Sequence, residues 1–167
     1  DAVFDAAIER AGAVRVLTVS QLFAAAKTLA SNTRVEGPRL AIVTNGGGPG
    51  VMAADRASDL NVPLAELGQT TIGRLSEVLP THWSHSDPVD ILGDADAARY
   101  GAATEIVLAD PNVDGLLVLL TPQAMTDPAA CAEAVITAAK TANKTQKPVL
   151  TCWMGATLVA EGRKRFA

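Results

Sequence analysis

From Leu40 to Asp55 the chain reads Leu-Ala-Ile-Val-Thr-Asn-Gly-Gly-Gly-Pro-Gly-Val-Met-Ala-Ala-Asp, and these residue types in this order could hold a phosphoryl group. The apolar run Leu40–Val43 has the length of a buried strand. Three glycines then allow a sharp turn and a close backbone approach. Pro49 carries the fixed φ of a helix's first turn, and the residues after it are helix-compatible. A helix starting there leaves N–H groups unpaired at the positive end of its dipole, roughly half an elementary charge. A tight glycine turn with no ligand is the alternative.

Other residues offer chemistry with less support. Gly48-Pro49-Gly50-Val51-Met52-Ala53 fits a loose G-x-G-x-x-[GA] dinucleotide pattern, and Glu66 stands where a ribose-binding acid would be expected. A proline in so crowded a turn argues against that reading. His82 and His85 lie close together, but a metal site would want a third and a fourth ligand and Asp87 is the only nearby candidate; the spacing falls in a loop, so solvent-facing rings are expected. No serine sits in a G-x-S-x-G elbow. Asp90 and Asp94 flank a strand end; a paired magnesium site is conceivable, and capping of the next helix is the commoner role for Asp94. Asp55 falls one turn into the glycine-loop helix, and its spacing does not fix which face it takes.

The elements that position these residues alternate regularly. Strands are expected at 39–44, 62–64, 89–91, 115–120 and 148–153, with helices at about 49–60, 69–79, 95–109, 127–142 and from 156. Pro63 makes the second strand suited to an edge. Gly115–Leu120 is nearly all apolar, as a strand buried on both faces should be. Five strands separated by helices imply an α/β fold with a parallel sheet, right-handed crossovers and helices on both faces. Ligands on such sheets bind outside the carboxyl ends of the strands, here the loops at Asn45–Gly50, Leu92–Asp94, Thr121–Gln123 and Met154–Gly155.

Residues 1–37 read as a helical arm or linker. One helix follows Val3, Phe4, Ala7, Ile8 and Ala11 and stops at Gly12. An extended run follows at Val14–Leu17, then a second helix capped near Thr18 or Ser20. The chain starts without methionine in one helical pattern and stops at Phe166-Ala167 in another, so a piece of a longer polypeptide is expected. Its 167 residues, 49% apolar and 19% charged, suit one folded domain. A net charge of −4 without a basic cluster gives no reason to expect nucleic acid, and no apolar stretch approaches a membrane span. Cys131 and Cys152, lacking C-x-x-C spacing, read as reduced core thiols in a cytoplasmic protein.

Five segments in order resemble the NDP-forming acyl-CoA synthetases: Thr44–Asp55, Asp87–Ala95, Asp110–Gly115, Thr121–Pro128 and Lys147–Gly155. The likeness extends to bifunctional bacterial members that also carry a lysine acetyltransferase domain. It implies that residues 38–167 form a flavodoxin-like domain similar to the carboxy-terminal domain of the succinyl-CoA synthetase β subunit, truncated at its end. The family joins an acyl acid to coenzyme A through an acyl phosphate and a phosphorylated histidine, using ATP/ADP or GTP/GDP with Mg2+. By this resemblance Asn45, Gly46, Gly47 and Gly48 contact phosphate and Gly50 tolerates its approach. Asp90, Gly93, Thr121, Pro122 and Gln123 belong to loops beside the acyl and phosphate site.

The phosphohistidine loop is expected just before Asp1, so neither His82 nor His85 inherits its role and no catalytic residue or metal ligand is assigned here. Alone, the fragment is expected to hold nothing but phosphate and to be inactive. The implied partners are the CoA-binding, phosphohistidine, ATP-grasp and acetyltransferase domains of the same polypeptide or subunit, and further copies in a homo-oligomer. Two other readings stay open: a non-catalytic regulatory or ligand-sensing domain of a bifunctional acetyltransferase, and a dinucleotide-binding oxidoreductase domain.

Overall fold

The computed structural model describes residues 1–30, 34–142 and 147–166, and Ala167, where the last helical pattern was expected to run, lies outside them. The chain forms two compact units, Asp1–Arg34 and Val35–Ala167.

The first unit holds α1 (Ala2–Arg10) and α2 (Val19–Ala30), neither with a buried residue. Thr18 caps α2 as expected: its Oγ1 accepts from Gln21 N at 3.1 Å. Gln21 Oε1 reaches back to the N–H groups of Leu17 (2.8 Å) and Thr18 (3.2 Å). Of the expected extended run only the Leu17 N–H enters this reciprocal box; Val14, Arg15 and Val16 form no regular element and Leu17 lies in a bend, so the run is not a strand.

The second unit carries a four-stranded, wholly parallel sheet in the order β2-β1-β3-β4. Its strands are β1 (Leu40–Thr44), β2 (Val89–Asp90), β3 (Gly115–Leu120) and β4 (Val149–Trp153). Among the described residues five α-helices lie between and after them: α3 (Gly47–Asp59) and α4 (Gln69–Val78) between β1 and β2, α5 (Ala97–Leu108) before β3, α6 (Pro128–Thr141) before β4 and α7 (Ala160–Arg165) after it. The sheet has four strands and not the five expected, because the second expected strand, Val62-Pro63-Leu64, makes a single bridge among the described residues, Leu64 with Leu40. Its Pro63 has no N–H to extend a ladder. β2 is short for a related reason. Asp87 Oδ1, instead of a backbone carbonyl, accepts from Ile42 N at 2.8 Å, and Pro88 has no donor to offer.

Alternation along the strands sorts the two faces. Ala41, Val43, Leu116, Val118 and Leu120 join one buried cluster with Tyr100, Val107, Cys131 and Val135 of α5 and α6. Ile42 and Thr44 point the other way, toward α3. Helices therefore lie on both faces, although Leu150 and Cys152 leave the α3 face of β4 exposed. Cys152 is thus not a core thiol. Cys131 is, and burial pushes its thiol up to about 11. Among the described residues no helix is long and apolar enough to cross a membrane.

Side chains close the helix ends. Asp127 Oδ1 accepts from Ala129 N (2.9 Å) and Ala130 N (3.0 Å), with Pro128 opening α6. Lys147 Nζ donates to the carbonyls of Leu108 (2.9 Å) and Asp110 (2.5 Å), closing the end of α5.

Candidate functional site

The chain turns from β1 into α3 around one hydroxyl. Thr44 Oγ1 accepts from Gly46 N at 3.1 Å and donates to Gly46 O at 3.0 Å. Gly46 stands before the first helical residue with an extended backbone, φ −141°. Gly50 N is bonded back to Gly46 O at 3.1 Å, and Pro49 has no N–H. The N–H groups of Gly47 and Gly48 remain, and among the described residues neither has a protein partner. Both residues are exposed. The helix start thus offers two bare amides, fewer than the glycine count suggests.

The glycines supply room and not unusual backbone angles. Among the described residues only Gly12 and Gly155 have glycine φ values in the left-handed region. A Cβ on Gly46 would lie 2.8 Å from Thr121 Oγ1, one on Gly47 3.1 Å from Asp90 Oδ2, and one on Gly48 would meet nothing within 4 Å. A Cβ on Gly50 would strike Thr44 Cγ2 at 2.9 Å, so this glycine serves the packing of α3 on β1.

The expected loops do converge. Asn45 ties the end of β1 to the end of β3: its Oδ1 accepts from Thr121 N and Thr121 Oγ1, and its Nδ2 donates to Thr121 O, each at 2.8 Å. A Cβ on Gly93 would lie 3.8 Å from Asn45 O and 4.0 Å from Gln123 Cγ. One on Gly155 would lie 3.5 Å from Pro122 Cγ. Loops after β1, β2 and β3 therefore meet beside the start of α3, and the loop after β4 joins them through Pro122.

Asp90 dominates the local charge. Its Oδ1 accepts from Leu92 N at 2.9 Å, while Oδ2 faces Gly47. The helix dipole favours a carboxylate there, and any further anion at the two amides meets its repulsion. Asp94 does not cap α5; Asp96 does, accepting from Arg99 N at 2.8 Å. Arg99 instead pairs with Asp94 at 2.6 Å, holding that carboxyl below its usual range, and reaches Ile91 O at 3.0 Å.

The remaining candidates lie apart from this edge or face solvent. His82 and His85 are exposed; His85 Nε2 is 3.1 Å from Thr81 O, and its ring lies 4.7 Å from Trp83. Among the described residues no group of three His, Cys, Asp or Glu could hold a metal ion. Asp55 and Glu66 are exposed. The loose dinucleotide pattern falls wholly inside α3, whereas the fingerprint needs its first glycines in the turn before the helix. A hollow of about 420 Å³ lined by Pro38, Leu40, Val62, Leu116 and Leu150 opens instead at the amino ends of the strands.

Sequence reasoning missed three supporting residues. Thr44 shapes the turn, Asp87 fills the sheet edge, and Tyr100 donates from its buried hydroxyl to Leu119 O at 3.0 Å. Thr44 was legible as a hydroxyl two residues before a helix cap; the partners of the other two are far apart in sequence.

Residues 40–166 match the family model described as Ligase-CoA domain. The chain is 38% identical over 161 residues to acetate–CoA ligase [ADP-forming] I of Archaeoglobus fulgidus, covering 96% of this chain and 22% of that protein. It is 32% identical over 156 residues to 4-hydroxybutyrate–CoA ligase [ADP-forming] of Nitrosopumilus maritimus, covering 93% and 22%. Among solved structures it resembles dinucleotide-forming acetyl-coenzyme A synthetase 1 of Ca. Korarchaeum cryptofilum in complex with phosphate and ADP. That likeness has a TM-score of 0.89 at 32% identity and covers 98% of this chain and 36% of the other. The chain thus spans between 22% and 36% of the length of these proteins.

Proposed function

The chain belongs to the NDP-forming acyl-CoA synthetase family through its Ligase-CoA domain, and from that premise we propose that it helps to hold a phosphoryl group while a carboxylic acid is converted to its CoA thioester. The carrying observation is the pair of unpartnered amides of Gly47 and Gly48, placed where the loops after β1, β2 and β3 meet. In the overall reaction an acid, coenzyme A and ATP give acyl-CoA, ADP and inorganic phosphate. Positioned backbone donors stabilise the transferring phosphoryl group without chemistry of their own.

Within this reading Gly47 and Gly48 donate to the phosphoryl oxygens. Asn45, Gly46 and Gly50 frame the turn, and Gly93, Pro122 and Gln123 form the neighbouring wall. Asp90 favours an occupant that brings a proton or N–H beside its anion, as the phosphorylated imidazole of a histidine does. The acid is a short carboxylic acid of the kind named for the relatives, acetate or 4-hydroxybutyrate. The nucleotide with Mg2+, the coenzyme A and the phosphohistidine belong to other domains of the same polypeptide or subunit, assembled as a homo-oligomer. Two unpaired thiols, one exposed, suit a reducing cytoplasm.

The test is acyl-CoA formation by the full-length polypeptide carrying Gly47→Val. The branched side chain crowds Asp90 and fills the space before the amides, so turnover falls on the order of a hundredfold with the fold retained. Unchanged turnover overturns the reading, as does tight binding of NAD in place of phosphate.

A further inference from the structure

Asn45 is 2% exposed, and all of its side-chain amide bonding described above goes to one residue, Thr121. By accepting from Thr121 N and donating to Thr121 O, the amide imitates a strand neighbour and carries the β1–β3 pairing past its last backbone register, Thr44 with Leu119. The Thr121 hydroxyl spends its single proton on Asn45 Oδ1 and has none left to donate to a ligand. The same hydroxyl sits where Gly46 leaves room for it.

We propose that Asn45 and Thr121 are a positioning pair: they set the loop after β3 against the start of α3, and neither side chain contacts the reacting groups. The inference rests on the phosphoryl-holding reading and adds to it how the site keeps its shape. Thr121 is followed directly by Pro122, which packs by Gly155, and Gln123, which lies by Gly93. A displacement of Thr121 is therefore passed to the loops after β4 and β2. The two amides stay in place on α3 while the wall opposite them moves.

The experiment compares Thr121→Val, Thr121→Ser and Asn45→Asp in the full-length polypeptide, measuring kcat, KM for phosphate in the thioester-cleaving direction, and Tm. Valine keeps the shape of threonine and removes the hydroxyl. Misplacing the wall lowers kcat by about tenfold or more while KM for phosphate stays within about threefold. Thr121→Ser, which restores the hydroxyl, recovers most of kcat. Asn45→Asp sets a carboxylate oxygen against Thr121 O and lowers kcat further; because that variant also stresses the fold, the Val and Ser pair carries the decision.

A raised KM for phosphate with unchanged kcat would make Thr121 a direct ligand and overturn the proposal. A lowered Tm with both kinetic constants unchanged would reduce the pair to structural support, which also overturns it. Wild-type polypeptide without acyl-CoA formation sinks the underlying reading as well. An active wild type sensitive to Gly47→Val but indifferent to Thr121→Val sinks this inference alone.

Discussion

The point that a Cβ on Gly46 would occupy lies 2.8 Å from the hydroxyl oxygen of Thr121, and that hydroxyl is already held by Asn45. The backbone of Gly46 is extended, so an alanine there meets no torsional obstacle; its cost is crowding. Gly46→Ala should destabilise the fold by about 1–3 kcal/mol. Gly48→Ala is the matched comparison, because its Cβ meets nothing within 4 Å and it sits in the first turn of α3. That change should be neutral or stabilising by up to about 1 kcal/mol. Urea midpoints of the two variants check the contrast, and similar losses at both positions would contradict it.

Near the carboxy terminus of the chain Gly162 packs against the rim of the core. A Cβ there would lie 2.5 Å from Pro128 O and 2.8 Å from two atoms of the Trp153 ring. Trp153 Nε1 donates to that same carbonyl at 2.9 Å, Phe166 stacks edge-on at 4.7 Å, and Arg163 holds Trp153 O from Nε at 3.0 Å. Gly162→Ala should separate α7 from this cluster and cost roughly 1–3 kcal/mol or more. A lowered urea midpoint, together with loss of the near-ultraviolet signal of the buried indole, is the expected outcome.

What could be read from the chain follows the range of each interaction. The strand–glycine–helix unit at 40–59 was legible because its apolar run, turn and helix are contiguous. So was the convergence of loops, because parallel topology forces it. The use of the glycines was not: they read as turn formers, yet their service is to leave room for Thr44, Asp90 and Thr121, and two of those lie far along the chain. The family resemblance sets Asn45 among the phosphate contacts, whereas its clamp on Thr121, 76 residues away, had no signal in the chain. Val62–Leu64 had strand composition, but one bridge does not make a strand beside a proline. The bare amides themselves could be counted only once Thr44 and the first helical turn had claimed the others.

Asp114, paired with Arg39, is one of the carboxylates that contribute to the acid limb of stability. Asp114 accepts from the Arg39 backbone N at 2.9 Å and from Nε and NH2 at 2.8 Å each. The guanidinium, then the backbone N–H, holds its carboxyl down at about 2. A depressed carboxylate contributes stability that is present above its unfolded pKa and lost as pH falls through the folded one. Asp114→Asn should therefore be less stable than the parent at neutral pH, and the gap should close as pH drops from about 4 towards 2. Denaturant titrations across that range check it; a gap independent of pH would show that the charge contributes nothing.

Asp87 produces a trend of the opposite sign. Burial pushes its carboxyl up from 3.8 to about 7, against the downward pull of the bond from Ile42 N, and among the described residues the buried Oδ2 has no hydrogen-bond partner. In the window between those values the folded chain binds a proton at Asp87 that the unfolded chain has largely released. Stability from this group is thus fully present below the unfolded pKa, declines as pH rises through the window, and is gone above the folded value. Asp87→Asn keeps an oxygen for Ile42 N–H and removes the titration. Relative to the variant, the parent should lose stability steadily from about pH 4 to about pH 7 and then run parallel to it. The comparison isolates Asp87 because both proteins share every other titrating group, including Asp114, whose effect is complete before the window opens. If the difference between parent and variant stays flat across the window, the carboxyl is already ionised in the folded chain and the sheet edge carries a charge there.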